Sequence, residues 1–168
     1  MTGTETAAIT LHEFVTDNAK STERWHQWLA TYPDALNVPC DIYDSKTVGG
    51  LVKHIFIVEL RHSQRLTGQR VATYEDFPGS SLDDVFAIHD LAMSNLRDFV
   101  ANSSAGSLGQ DLEIQTLSAG IVYATRRKLF VHIMIHSRRH WAQLATLLRS
   151  HGLKTDWPQD FLFSEAMA

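Results

Sequence analysis

Cysteine is almost absent from this sequence, and so are long apolar runs and any excess of basic charge. The single cysteine, Cys40, excludes a disulfide within the chain and a four-cysteine zinc site. The formal net charge of −4 argues against a nucleic-acid binder that works by bulk charge, because such proteins need a basic surface. The longest apolar run, 55–58, is far shorter than the roughly 18 residues of a membrane span. We therefore expect neither nucleic acid nor membrane as a partner.

The length of 168 residues predicts one domain, 1–168. Within it, residues 1–9 are expected to be flexible. The tail, 153–168, is expected to pack back on the domain through its aromatic residues, which would be an apolar liability in water. The first residues lack the basic start and apolar run of a signal peptide, so we expect a cytoplasmic protein.

Four segments carry apolar residues at helical spacing between residues that start and stop helices. They run from about Thr10 to Thr31, Lys46 to Thr67, Leu82 to Ala101 and Lys128 to His151. The second is expected to be capped by Asp44 or Ser45, after a loop at 33–44. Segments 112–117 and 121–126 alternate as strands do, with 118–120 as a small turn, which predicts a β-hairpin. The pattern predicts an all-α four-helix bundle with a short hairpin between helices 3 and 4.

The sequence contains nine histidines, and two of them, His136 and His140, are four residues apart on the last predicted helix. Their Cβ atoms would lie about 5–6 Å apart, a suitable spacing for one metal ion. On a helical wheel His136, Leu144 and Leu147 all lie within about 40° of His140, so the pair shares a face with core leucines. The alternative interpretation is that both are core-edge histidines hydrogen-bonded to backbone or water.

A metal site with this pair needs a third ligand from elsewhere in the chain. On the second helix His54 shares its face with Leu51 and Val58, and in an antiparallel bundle it can meet the pair. The main rival is His62, eight residues further along the same helix. Three imidazoles with open positions would form a catalytic type of metal site rather than a closed structural one.

The remaining candidates have supporting or surface roles. His132, one turn before His136, and Gln143 are candidates for orienting a ligand or a substrate. The basic run 126–128 can attract an anionic substrate, and an apolar stripe beside the pair can hold an apolar one. Four histidines are expected at the surface or at helix ends: His12, His26, His89 and His151.

Two segments of the chain, 47–59 and 131–152, are similar to the DinB/YfiT-like metalloenzyme family. The family has a histidine on helix 2 followed five residues later by a glutamate, as His54 and Glu59 are here. It also has a His-x-x-x-His on the last helix, often followed by Arg-Gly-Gln. Gln143 matches that pattern, whereas Trp141 and Ala142 depart from it, which changes the expected shape of the local pocket but removes no expected ligand.

The resemblance implies a DinB-type four-helix bundle, frequent homodimers, and a divalent metal, zinc or nickel, held by His54, His136 and His140. Some relatives are thiol-dependent transferases. The resemblance therefore suggests a metal-dependent thiol S-transferase in detoxification or stress response, acting on a small thiol and an electrophile. The alternative is a non-catalytic metal-binding or helical interaction protein.

Overall fold

Four long α-helices form the body of the protein, as predicted. The computed structural model describes residues 9–116 and 119–167. The expectation for residues 1–8 falls outside the described residues, and so do the last residue of the first predicted strand, Leu117, and the first residue of the predicted turn, Ser118. No helix in the described ranges is long and apolar enough to cross a membrane. The helices are α1 (Leu11–Thr31), α2 (Val48–Thr67), α3 (Leu82–Ala101), a short α4 (Ala105–Leu108) and α5 (Arg126–Ser150).

The predicted hairpin is present between α4 and α5. Strand β3 (Asp111–Gln115) pairs antiparallel with β4 (Ile121–Thr125). A second pair of two-residue strands was not predicted: β2 (Lys46–Thr47) lies at the expected start of the second helix, and β1 (Pro39–Cys40) lies in the segment 33–44 that was expected to be only a loop. That segment also forms short 3₁₀ turns at Pro33–Asn37 and Ile42–Asp44.

The helices pack as a ring in which α2 contacts α3 and α5, and α1 contacts the same two helices from the opposite side. Each helix presents an apolar face to the interior, because its apolar residues recur at helical spacing. Near the middle of the interior Trp25 of α1 stacks on Trp141 of α5, with ring centroids 5.0 Å apart. The bulky Trp141, which departs from the usual family sequence, is therefore a core residue.

The starts of α2 and α5 differ from the prediction because threonines cap both helices. Thr47 has extended backbone angles and its Oγ1 accepts a hydrogen bond from the Gly50 amide at 3.1 Å. Lys46 has a φ of 64°, so the predicted start at that residue is wrong. In the same way Thr125 caps α5, which places Arg126 in the first turn, two residues earlier than predicted.

The loop between β1 and β2 lies tightly against the start of α2. Tyr43 and Asp44 both have left-handed backbone angles, with φ of 51° and 57°. Gly50 allows this close approach, because a Cβ there would lie 2.1 Å from the carbonyl oxygen of Ser45. The first turn of α2 therefore fixes the position of this loop beside the helix.

The tail contacts α1 through the aromatic Trp157, in line with the expectation, and through ion pairs that were not predicted. Trp157 packs edge-on against Trp25, with centroids 5.2 Å apart. Glu165 forms ion pairs with Lys20 and Arg24 of α1, with N···O distances of 3.1 and 3.0 Å. The aromatic segment 161–163 was expected to be buried, but it stays exposed, with Leu162 86 % accessible.

Candidate metal centre

Three buried histidines from two helices lie together in the interior. The ring centroid of His54 on α2 is 5.2 Å from those of both His136 and His140 on α5, and the latter two are 4.5 Å apart. One nitrogen from each ring can be chosen so that all three lie within 4.8 Å of one another. The helical spacing of His136 and His140 puts them on one face, and the antiparallel packing of α2 and α5 brings His54 opposite. The three histidines can therefore bind one metal ion.

Each of these rings has one buried nitrogen without a hydrogen-bond partner among the described residues: Nε2 of His54, and Nδ1 of His136 and His140. Leaving a buried polar atom unpaired costs about 1–3 kcal/mol. A cation bound to imidazole nitrogens offsets such a cost by supplying a partner for a lone pair. Three nitrogen donors suit zinc, nickel, cobalt or iron, so the residues fit a divalent transition metal.

Burial keeps the histidines in the neutral form that binds metal. Desolvation, with repulsion from neighbouring cations, lowers the pKa of His54 to about 4 and that of His136 to about 2. The pKa of His140 is also lowered, first by burial and then by the Arg139 guanidinium, while its interaction with Gln143 acts in the opposite direction. Near neutral pH no proton has to be displaced from these nitrogens by a metal.

Two tyrosines contact His54, and neither was among the site residues predicted from the sequence. The hydroxyl of Tyr74 lies 2.9 Å from Nδ1 of His54, which leaves Nε2 as the nitrogen available to a metal. The ring of Tyr43 packs against that of His54, with centroids 4.1 Å apart. Both tyrosines come from irregular segments, where periodicity gives no information about side-chain position.

A cavity of about 260 Å³ opens beside the histidine cluster, lined in part by His54 and His136. Its wall also includes Arg61, Arg65 and Arg139, and no acidic side chain is part of the lining within the described ranges. The cavity is therefore a cationic pocket next to a potential metal ion.

The predicted source of positive charge near the site is wrong. The run 126–128 does not line the cavity: Arg126 packs over the ring of Phe99 at 5.1 Å instead. The predicted apolar wall is also wrong, because Ile133 and Leu144 are fully buried in the helical core and Leu147 does not line the cavity. The positive charge of the cavity comes from Arg61 and Arg65, which lie on the same face of α2 as His54, and from Arg139, which the helical wheel assigns to the solvent side of α5.

The other candidates from the sequence lie at the edge of the site. His132 lines the cavity, with its ring centroid 5.7 Å from that of His136 and 5.4 Å from that of His62. His62 lines the same cavity but is not one of the three clustered histidines. Gln143 is exposed on α5, close to His140. The roles predicted for His132 and Gln143 remain predictions.

The expectation that His89 lies at the surface is wrong. It is buried, and its Nδ1 lies 2.7 Å from Oε2 of Glu59, which is completely inaccessible to solvent. The other oxygen of Glu59 accepts hydrogen bonds from Asn18 at 2.8 Å and from Ser137 at 2.6 Å. One carboxylate thus joins all four long helices, directly beside the metal-site residue His136.

Comparison with known proteins agrees with this architecture. The model of the DinB family matches residues 3–167, almost the whole chain. A search of curated proteins finds no match.

Proposed function

Because the chain belongs to the DinB family, we propose that it is a metal-dependent thiol S-transferase of detoxification or stress response. In this proposal His54, His136 and His140 hold one divalent ion, with zinc or nickel as the expected metal. The thiol loses its S–H proton and its sulfur forms a bond to a carbon of a small electrophile; that carbon's bond to a leaving group breaks, or, in an addition, the electrophile takes up a proton. We place this activity in the cytoplasm.

The observation that carries the proposal is the cavity beside the histidine cluster. Three nitrogen ligands leave at least one coordination position open, as in catalytic zinc sites. Two of the three histidines line the cavity, so a molecule of substrate size can reach the metal position. When bound, a divalent cation lowers the pKa of a coordinated thiol, so that the reactive thiolate forms near neutral pH.

The protein's own residues have separate tasks in this scheme. Tyr74 fixes the ring of His54 through its hydroxyl, 2.9 Å from Nδ1. Arg61 and Arg139 provide positive charge on the wall, where they can bind an acidic group of the thiol. His132 and Gln143 are proposed to orient a substrate or a ligand at the edge of the site.

The second candidate is a metal-binding protein without catalysis, or a helical interaction protein. A closed site with a fourth protein ligand would favour that function. Among the described residues, however, the cluster of potential metal ligands contains His54, His136 and His140 and no fourth member. The open arrangement therefore supports the enzyme over the closed structural site.

The test begins with the metal. We expect His54→Ala to lose most of its bound divalent metal while its circular dichroism stays helical, because a two-histidine site binds metal weakly. His12→Ala, an exposed histidine of α1, is the matched control and should keep its metal. If elemental analysis finds as much metal in His54→Ala as in the parent protein, the ligand assignment is wrong.

The activity is tested on metal-loaded protein with glutathione, mycothiol and bacillithiol and a panel of small electrophiles. We expect thiol conjugation faster than with free metal, and loss of that rate in His136→Ala, since that variant lacks a ligand of the proposed ion. A metal-loaded protein with no rate above background across the panel would favour the non-catalytic function.

A further inference from the structure

The cavity beside the histidine cluster has more positive charge on its wall than the binding of a neutral substrate would require. Arg61, Arg65 and Arg139 line it, and within the described residues no carboxylate lies within ion-pair distance of any of them. Like charges that share a low-dielectric pocket repel one another, and an anion relieves that repulsion. The same pocket would also receive the charge of a divalent ion.

One of these arginines is held in place by the backbone. The guanidinium of Arg65 donates to the carbonyl of Arg61 at 3.1 Å and to the carbonyl of Gln115 on β3 at 3.1 Å. Burial, with the nearby Arg61 charge, lowers the pKa of Arg65. Arg65 therefore places a fixed positive charge between α2 and the hairpin. A bound ligand does not have to order this side chain.

The third arginine is tied to a proposed metal ligand. A terminal nitrogen of Arg139 lies 3.3 Å from Nε2 of His140, where it can donate only if that nitrogen carries a free lone pair. If His140 binds a metal through Nε2, that lone pair is used. If it binds through Nδ1, Nε2 must carry the proton and cannot accept. With either nitrogen, metal binding at His140 breaks the hydrogen bond to Arg139.

We propose that metal binding frees the guanidinium of Arg139, which already lines the cavity, to join Arg61 and Arg65 as a subsite for the carboxylate group of a substrate. The ligand of this subsite is then a small polycarboxylate. For the proposed transferase, the substrate is a thiol that carries carboxylates. The subsite rests on the proposed metal centre, and the identification of its ligand as a thiol rests on the proposed reaction. Anion binding itself needs no catalysis, so it can be measured separately.

The test uses succinate as the probe, titrated calorimetrically into zinc-loaded and zinc-free full-length protein at low ionic strength. We expect tighter binding to the zinc-loaded form. Arg61→Met should weaken succinate binding about tenfold or more, the usual effect of losing a charge-assisted hydrogen bond. Arg149→Met, an exposed arginine near the end of α5 that does not line the cavity, is the matched control and should change nothing.

Arg139→Met gives a signature that a structural role does not produce. It should weaken succinate binding to the zinc-loaded protein. It should also tighten zinc binding by about threefold to tenfold, because the competing hydrogen bond to His140 is gone. A variant that was merely less well folded would bind both ligands more weakly.

The outcomes separate the two proposals. Unchanged succinate affinity in Arg61→Met and Arg139→Met, or weaker zinc binding in Arg139→Met, overturns the subsite. Protein that takes up no zinc overturns the metal centre instead. If succinate binds as expected but mercaptosuccinate is not conjugated to any electrophile, the carboxylate subsite stands and the transferase reaction fails.

Discussion

Removal of the Glu59 side chain should strongly destabilise the bundle. In Glu59→Ala two buried donors lose their acceptor: Nδ2 of Asn18 and Nδ1 of His89, now 2.8 and 2.7 Å from the carboxylate. Each orphaned buried group costs about 1–3 kcal/mol. Ser137 loses less, because its hydroxyl keeps a second bond to the carbonyl of Ile133 at 3.1 Å. The free energy of unfolding should therefore fall by about 2–6 kcal/mol, without the further cost of the cavity that the substitution leaves.

Glutamine at the same position should cost much less. The side-chain oxygen of Glu59→Gln can still accept from Asn18 and Ser137, and its amide can donate to Nδ1 of His89 once that ring takes the other neutral tautomer. Only the charge assistance is lost, about 1 kcal/mol. The difference in stability between the two variants shows whether the hydrogen bonds of Glu59 or only the volume of its side chain stabilises the bundle.

Urea unfolding followed by circular dichroism at pH 7 measures both variants. Glu23, exposed on α1 with only a 3.5 Å contact to Gln27, supplies the matched controls Glu23→Ala and Glu23→Gln, expected within about 0.5 kcal/mol of the parent. If Glu59→Ala does not fold, Asn18→Ala, which removes one donor, should still cost about 1 kcal/mol. A Glu59→Ala protein as stable as the parent would refute the reasoning.

Three other measurements test the site and the assembly. The lowered pKa values of His54 (about 4) and His136 (about 2) mean that below pH 6.5 the unfolded chain binds protons that the metal-free native protein does not. Its free energy of unfolding should therefore be nearly constant between about pH 7 and 8 and fall between pH 6.5 and 4 by up to about 1.4 kcal/mol per pH unit for each histidine, and a flat profile across the acid range contradicts this. Tyr74→Phe should weaken metal binding about tenfold, and unchanged affinity in a metal titration contradicts its role. We also propose a homodimer, which the family resemblance implies, with the outward-facing Val131 and Ile135 of α5 as its contact; Ile135 is 60 % exposed, whereas Val131 packs partly against the core. Light scattering should give a dimer that Ile135→Glu dissociates, and a monomer of the parent protein refutes it.

The helices and the clustered histidines could be predicted because their signals are local and periodic. A histidine pair at i and i+4 occupies one helical face whatever the rest of the fold, and His54 needs only an antiparallel neighbour to meet it. The helix ends were less predictable at α2. There Asp44 and Ser45 were the predicted caps, but the helix cannot begin beside them because Lys46 has a left-handed backbone and pairs with Cys40 of β1.

The rest of the site depends on contacts between segments far apart in the chain, which periodicity does not encode. From the pattern of its own helix His89 is predicted to lie at the surface. It is a core residue because Glu59 of α2 lies opposite it. Arg139 reads as a solvent-facing neighbour of His140, yet its long side chain reaches back to that ring and to the cavity. Long polar side chains are therefore the residues for which a helical wheel fails, since their charged ends lie far from the Cβ direction that the wheel describes. In this protein those ends determine the charge of the cavity, and hence which substrates it can admit.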